Sequence, residues 1–313
     1  MKKLYFILLL CLSVFSQFSL AEDIAYLLTA ASKGELNTVS ALLQSGANPN
    51  MQDEDGVTAL MYAARKDQAA VVDLLISKGA KVNAQDKGGW TALMFAAKRE
   101  HLETMRALLK HGADPLIRDP SGWSAFGMAA IAGNSESVKL LLDYGVDPNI
   151  RSDDKKTPLM YAAKSDDVPT INALLSKGAD PNMKDRQGVT ALMYAARLGN
   201  SDAVKALVNK GADVNAEDRS EWTALTWAID KNQLPVAKIL IESGANINHR
   251  DANDTPLVLR AVDADSVALM QLLIDHKVDL QARDQYGLSA YVYALKKGNS
   301  EVAKLIKDAG GKY

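Results

Sequence analysis

The ten residues GVTALMYAAR at 56–65 recur letter for letter at 188–197, and weaker copies lie between and beyond them. A fixed period of this size predicts a stack of small similar units, because one such unit cannot bury its own apolar face. A stack presents broad surfaces rather than a deep catalytic cleft, which narrows the functions open to the chain. The serine or threonine that leads each copy recurs at intervals of about 33 residues, at Thr58, Thr91, Ser124, Thr157, Thr190, Thr223, Thr255 and Ser289.

One unit, residues 185–217, predicts a turn followed by two short helices. Gly188 supplies a turn residue that tolerates a positive φ, and the Thr190 hydroxyl caps the first helix. Gly199 ends that helix, and a second helix is predicted over 201–209. Helices this short are marginal alone in water, so each depends on its neighbours. Paired alanines allow that close approach, at 63–64, 96–97, 129–130, 162–163 and 195–196.

These residues resemble the ankyrin-repeat family, whose pattern runs Asp-x-x-Gly-x-Thr-Pro-Leu-His-x-Ala-Ala, a second helix, and Gly-Ala-Asp-x-Asn. The resemblance covers essentially all of 22–313 and implies an all-α repeat solenoid with short β-hairpin loops, in one curved stack. It also implies a non-catalytic scaffold that binds proteins through its hairpin tips and its concave helix face. Nine units are predicted, at 22–52, 53–85, 86–118, 119–151, 152–184, 185–217, 218–250, 251–283 and 284–313.

Three departures from the family pattern carry expectations of their own. The family histidine is replaced, most often by methionine, so its hydrogen bond with threonine is absent and apolar packing is expected instead. The eighth unit has one residue fewer before Thr255 and one more near 263–265, so its hairpin is expected to be the least regular. The turn glycine is replaced in three units, by Lys155, Glu221 and Asn253.

The first 21 residues read as an export signal rather than as part of the fold. Lys2 and Lys3 precede an apolar stretch at 4–15, and Ser19-Leu20-Ala21 has the small-x-small form of a cleavage site. A membrane anchor is the alternative, but this stretch is shorter than the roughly 20 residues of a spanning helix. We therefore expect cleavage after Ala21 and a periplasmic or secreted protein.

Composition excludes several classes of function for the processed chain. Cys11 is the only cysteine and lies in the export signal, which leaves no disulfide, thiol nucleophile or cysteine metal site. Removing the signal lowers Lys+Arg from 36 to 34 against 38 Asp+Glu, a net charge of −4 that gives no case for nucleic acid. No other long apolar run occurs, so no membrane span is expected after cleavage. The protein is also predicted to be a monomer.

Catalytic and cofactor patterns are also missing from the sequence. The four histidines, His101, His111, His249 and His276, form no metal-ligand spacing with one another or with a cysteine. There is no nucleophile elbow and no phosphate-binding Gly-Lys-Ser/Thr loop. We therefore expect no enzyme activity, no metal and no cofactor.

Large aromatic side chains fall at predicted hairpin tips, where a polar turn would otherwise stand. Each ring either lies across the neighbouring hairpin or contacts a protein partner, since tryptophan is enriched among binding hot spots. A second set of rings recurs at the unit period within the first helices and is expected to be semi-buried, with an inner-groove lining as the alternative. The tip residues are Trp90, Trp123, Trp222 and Tyr286; the helix rings are Tyr62, Phe95, Tyr161, Tyr194, Trp227 and Tyr293.

Basic residues recur near the end of the first helix, and acids such as Asp263 interrupt them. Each alone could complement a helix dipole; together they could line a groove for an acidic partner. The leading hypothesis is a binding protein for a protein partner of unknown identity. The alternatives are an immunity-type inhibitor of a periplasm-acting enzyme and a purely structural envelope spacer. The basic positions are Arg65, Lys66, Lys98, Arg99, Lys164, Arg197, Lys231, Lys296 and Lys297.

Overall fold

A computed structural model describes residues 24–313, so the predicted export signal at 1–21 lies outside the described residues. The chain divides into an N-terminal unit, Met1–Val146, and a C-terminal unit, Asp147–Tyr313. Both consist of paired short helices joined by turns, which confirms the predicted all-α repeat fold. The expectation that 22–313 forms one continuous domain stays a prediction.

The N-terminal unit contains four helix pairs in its described part. First helices pack on first helices, α3 on α5 and α5 on α7, while second helices form a parallel row from α2 to α8. The helices are α1 24–33, α2 Leu36–Gln44, α3 Ala59–Arg65, α4 Ala69–Ser77, α5 Ala92–Ala97, α6 Leu102–Lys110, α7 Ala125–Ala132 and α8 Ser135–Asp143.

The C-terminal unit repeats this arrangement in five pairs. Its first helices pack in the order α9, α11, α13, α15 and α17, and its second helices in the order α10, α12, α14, α16 and α18. The helices are α9 Pro158–Lys164, α10 Val168–Ser176, α11 Ala191–Leu198, α12 Ser201–Asn209, α13 Ala224–Asp230, α14 Leu234–Glu242, α15 Leu257–Asp263, α16 Val267–Asp275, α17 Ala290–Lys297 and α18 Ser300–Asp308.

The hairpins are minimal and are tied to one another by asparagine side chains. Their only β pairing among the described residues consists of isolated bridges such as Gln52 with Thr58. Asn182 shows the link between repeats: its Nδ2 donates to the Gly211 carbonyl at 3.2 Å, and its Oδ1 accepts from the Asp213 amide at 2.7 Å. This Asn ladder satisfies backbone groups that a turn between helices would otherwise leave unpaired.

The threonine caps form as expected, but their methionine partners do more than fill space. Thr190 Oγ1 accepts from the Met193 amide at 3.3 Å, and the Thr190 amide donates to Met193 Sδ at 3.4 Å. Three other repeats have the same pair, at Thr58, Thr91 and Thr157. The expectation that apolar packing alone replaces the missing histidine is therefore wrong, because the thioether sulfur serves as a weak acceptor.

The eighth repeat keeps the common register, which corrects the expectation of an irregular hairpin. α15 begins at Leu257 and ends at Asp263, and α16 begins at Val267, each 33 residues after its counterpart in the seventh repeat. The N-cap is Pro256 rather than Thr255, and the cap has no side-chain hydrogen bond. The left-handed turn residue is Asp254, at φ 56°, not Asn253. Aligning Thr255 with the capping threonines therefore suggested a one-residue deletion that the backbone does not have.

This register gives a direct test through two threonine substitutions. Thr190→Ala removes a side-chain cap and is expected to cost about 1 kcal/mol of unfolding free energy. Thr255→Ala removes no cap, and its effect should stay within about 0.5 kcal/mol. Urea melts followed by circular dichroism measure both; equal losses would restore Thr255 to the cap position.

Candidate functional site

In several repeats the aspartate that begins the hairpin fixes the tip against the first helix. Asp185 Oδ1 accepts from the amides of Gln187 at 2.9 Å and Val189 at 3.0 Å. Its Oδ2 accepts from the Tyr194 hydroxyl, nine residues later on α11, at 2.8 Å. Both the loop and the aromatic ring are thereby held in place.

The same bond recurs with different donors. Tyr62 donates to Asp53 at 2.8 Å, and Trp227 donates through Nε1 to Asp218 at 2.9 Å. Sequence reasoning missed these bonds, although an aromatic residue nine positions after the hairpin aspartate was a readable signal. The helix rings are half-buried, as expected, and three of them donate to the hairpin aspartate of their own repeat.

These bonds also set the electrostatics of the face. Burial, followed by the hydrogen bond to Asp185, raises the pKa of the Tyr194 phenol. In Tyr62 the hydrogen bond to Asp53 is the main cause of a raised pKa. Burial opposes ionisation of Asp251, but the hydrogen bond from Arg260 and two backbone amides lower its pKa overall. The tyrosines therefore stay neutral donors and Asp251 stays a charged acceptor at neutral pH.

In the N-terminal unit, tip and helix residues form one group of rings and cations, here called the N-terminal cluster. The Arg65 guanidinium carbon lies 5.5 Å from the Tyr62 ring centroid and 5.4 Å from that of Phe95. Phe95 contacts Trp90 at 5.0 Å between centroids, and Lys98 Nζ lies 4.8 Å from the Trp90 ring centroid. Five of the predicted tip, helix-ring and basic positions are thus brought together around Arg65.

The C-terminal unit has a similar group, here called the C-terminal cluster. Arg197 lies 4.9 Å from the Trp227 ring centroid, and Trp227 meets Trp222 at 4.6 Å with the ring planes at 62°. Arg260 covers Trp222 at 5.0 Å. A groove of about 340 Å³ is lined by Arg197, Trp227 and Tyr194.

Trp123 does not share this arrangement, because its ring packs against its own repeat. Its side chain is 7% exposed. The ring lies over Gly127, where an added Cβ would be 2.1 Å from the ring carbon Cε3. Glycine stands here in place of the methionine, threonine or valine of other repeats, so the tryptophan fills the space that a longer side chain would take.

The remaining predicted residues lie apart from the clusters. Tyr286 is 79% exposed at its hairpin tip, and Lys66 and Arg99 are exposed at the ends of their helices. The basic series is interrupted as expected, since Asp263 pairs with Lys297 at 2.9 Å and Asp230 pairs with Lys231 at 2.9 Å. Arg65 and Lys98 of the N-terminal cluster and Arg197 of the C-terminal cluster are in neither of these ion pairs.

The fit of Trp123 on Gly127 predicts an unusual helix substitution. Glycine to alanine in a helix interior normally stabilises, but Gly127→Ala should cost about 1–3 kcal/mol because the new methyl group overpacks the ring. The double variant Trp123→Ala, Gly127→Ala should lose less than the sum of the two single variants. Chemical denaturation of all three measures this coupling, and additive losses would contradict the stacked arrangement.

Two classes of site are not seen in the part of the chain that the structure describes. Over residues 24–313, no three His, Cys, Asp or Glu side chains lie together in a way that could hold a metal ion. In the same range, none of the helices combines the length and apolar character that crossing a bilayer requires.

Comparison with known proteins agrees with this architecture. The family described as ankyrin repeats (3 copies) matches residues 27–119, 112–185 and 160–251, which together extend over more than half of the chain. Among solved structures, the human ASB11 ankyrin repeat domain is similar, with a TM-score of 0.64 and 26% identity. That match covers 70% of this chain and 98% of the ASB11 chain. No curated protein matches the sequence.

Proposed function

The chain belongs to the ankyrin-repeat family, and we propose that it is a non-catalytic binding protein that acts in the periplasm or outside the cell. Domains of this family are typically scaffolds that bind other proteins. Because one fold serves many unrelated partners, the binding role has to be argued from the residues of this chain.

The two ring-and-cation clusters carry the proposal. Each places half-buried aromatic side chains and an arginine on the exposed face of neighbouring first helices. Tryptophan, tyrosine and arginine dominate binding energy at protein interfaces, where rings buried on one side lose little entropy on contact. The hairpin aspartates hold three of these rings, Tyr62, Tyr194 and Trp227, before a partner arrives, so less ordering free energy is lost on binding.

The same groups are poorly suited to catalysis. Each tyrosine with a raised pKa in the clusters is committed as a donor to a hairpin aspartate. A general acid or base needs an open proton-transfer position beside a substrate, and these hydrogen bonds occupy it. We therefore assign the face to recognition.

Export is supported by the sequence of residues 1–21. The basic start, the short apolar core and the small residues before Glu22 are typical of a cleaved signal. N-terminal sequencing of the protein from its native host is expected to begin at Glu22. An intact Met1 on protein recovered from the cytoplasm would overturn the location and leave the binding role standing.

Affinity capture from the native envelope fraction tests the binding role. The parent protein is expected to retain a specific partner, and the double variant Arg65→Ala, Arg197→Ala is expected to lose it. The matched control is Lys78→Ala, Lys210→Ala, since both lysines are exposed at second-helix ends and are 132 residues apart, as the two arginines are. Equal capture by both double variants would place the contact elsewhere. If the parent protein captures no specific partner, the result would favour a purely structural envelope spacer.

A further inference from the structure

The two clusters share four positions, but Asp230 stands at the counterpart of Lys98 and Met128 at that of Arg260. Four residues of the N-terminal cluster each have a counterpart of the same chemical class 132 residues later, in the same position of its repeat. The four pairs are Tyr62 with Tyr194, Arg65 with Arg197, Trp90 with Trp222, and Phe95 with Trp227. The chain therefore carries one arrangement twice, once in each unit.

Arg65 and Arg197 differ from two other arginines near the clusters, Arg260 and Arg186, in having no carboxylate partner among the described residues. Arg260 also covers a ring but is paired with Asp251, and Arg186 is paired with Asp154 at 3.7 Å. Neither Arg65 nor Arg197 has a carboxylate within 4.0 Å among residues 24–313. The guanidinium carbon of each lies within 5.5 Å of an aromatic ring centroid. A guanidinium held beside a ring, without a carboxylate partner of its own, suits bidentate binding of a carboxylate from another chain.

The position of Arg197 adds a shape to this charge. It shares the groove of about 340 Å³ with Tyr194 and Trp227, and the exposed Arg219 lies on the same lining. Asp218 also lines the groove, but its carboxylate is buried and accepts from Trp227 Nε1. The two exposed cations and the two rings complement an extended chain with acidic side chains, because its carboxylates meet guanidinium groups and its backbone crosses the rings. Lys87 is the counterpart of Arg219 beside the N-terminal cluster.

We propose that each cluster binds an extended acidic protein segment, with Arg65 or Arg197 gripping one of its carboxylates, so that one chain takes up two such segments. The proposal rests on the binding function above and names the chemistry of the partner. Under this proposal, Arg65 and Arg197 belong to two defined binding sites and do not serve only to complement helix dipoles.

The two sites should differ in strength because their hairpin tips differ. The tip beside the N-terminal cluster carries Glu54 and Asp55. The corresponding tip in the C-terminal unit carries Arg186 and Gln187, and Arg186 pairs with Asp154 at 3.7 Å. Two nearby carboxylates repel an acidic ligand, so the C-terminal site is the tighter one, and the difference falls as salt increases.

The four indole N–H signals of purified ¹⁵N-labelled protein give a direct readout, with synthetic octaglutamate as the probe. The signals of Trp222 and Trp227 should move first during titration, and that of Trp90 should move at higher peptide concentration. The signal of Trp123, buried on Gly127, should stay fixed and serves as an internal control. Two distinct midpoints would support two unequal sites.

Variants connect each response to its arginine. Arg197→Ala should weaken the first response at least about tenfold and leave the Trp90 response unchanged, and Arg65→Ala should do the converse. Arg197→Lys keeps the charge but loses the planar fork, so it should bind less tightly than the parent and better than Arg197→Ala. An unchanged circular-dichroism melt shows that each variant is folded.

Three results would overturn the inference. One is a Trp222 and Trp227 response that survives Arg197→Ala. Another is an equal response to octalysine, which would show non-specific contact. The third is an equal response to sodium phosphate at matched charge, which would mark a general anion site. Failure of the proposed function looks different: octaglutamate then binds as described, while capture of the native partner is unaffected by both arginine changes.

Discussion

Ala195→Asp is expected to lower the free energy of unfolding by several kcal/mol, on the order of 4, and to abolish the folded state at modest urea. Ala195 is fully buried on α11, which packs between α9 and α13. A carboxylate there would lose its water without gaining a cation, and the space left by an alanine methyl group cannot hold the longer side chain. Urea denaturation followed by far-ultraviolet circular dichroism measures the loss.

Lys66→Ala is the matched surface change, because Lys66 is exposed at the end of its first helix. Its effect should stay within about 0.5 kcal/mol. Small and equal effects of the two substitutions would contradict the packing of first helices on one another. A large effect of Lys66→Ala alone would point to an ion pair that the described structure does not contain.

Asp185→Ala is expected to cost about 2–4 kcal/mol, the other large effect. The aspartate is 5% exposed and accepts from two hairpin amides and from the Tyr194 hydroxyl. Hydrogen bonds to a charged acceptor are stronger than neutral ones, and removing it leaves three donors to find water in a partly buried place. Because the bond to Asp185 raises the pKa of Tyr194, the variant should also titrate this phenol at lower pH than the parent.

Asp284→Ala is the control for the hairpin alone. Asp284 accepts from the amides of Tyr286 and Leu288, while the helix ring of that repeat, Tyr293, donates to Asp263 instead. The loss at Asp284 should therefore be smaller by about 1 kcal/mol, the contribution of one hydrogen bond. Equal losses for Asp185→Ala and Asp284→Ala, with no change in the ultraviolet titration of tyrosine, would show that the bond between Asp185 and Tyr194 does not stabilise the repeat.

The sequence predicts the repeat because local signals and the global fold agree. Threonine caps such as Thr190, left-handed glycines such as Gly199 and buried alanines such as Ala195 each follow from the chemistry of one residue. The error in the eighth repeat has a physical cause, since proline can occupy the N-cap that threonine usually takes. Thr255, one residue before the true N-cap Pro256, therefore has the residue type of a cap without its position.

The candidate site was harder to predict because its contacts join residues about one repeat apart. Arg65 stacks on Phe95 and Arg197 on Trp227, a proximity that appears only when the repeats are packed. The orientation of a ring also depends on its neighbour's size. Trp123 turns inward because Gly127 leaves room, and the half-buried Trp90 is covered by Lys98 instead.

Hydrogen–deuterium exchange on the captured complex tests the central claim, that the first-helix face of both units is the binding surface. Partner binding is predicted to slow exchange in the peptides that contain residues 56–65, 86–98, 185–197 and 218–227. The second helices, α4, α6, α12 and α14, should exchange at the rate of the free protein. Protection confined to the second helices, with residues 185–197 unchanged, would contradict the account.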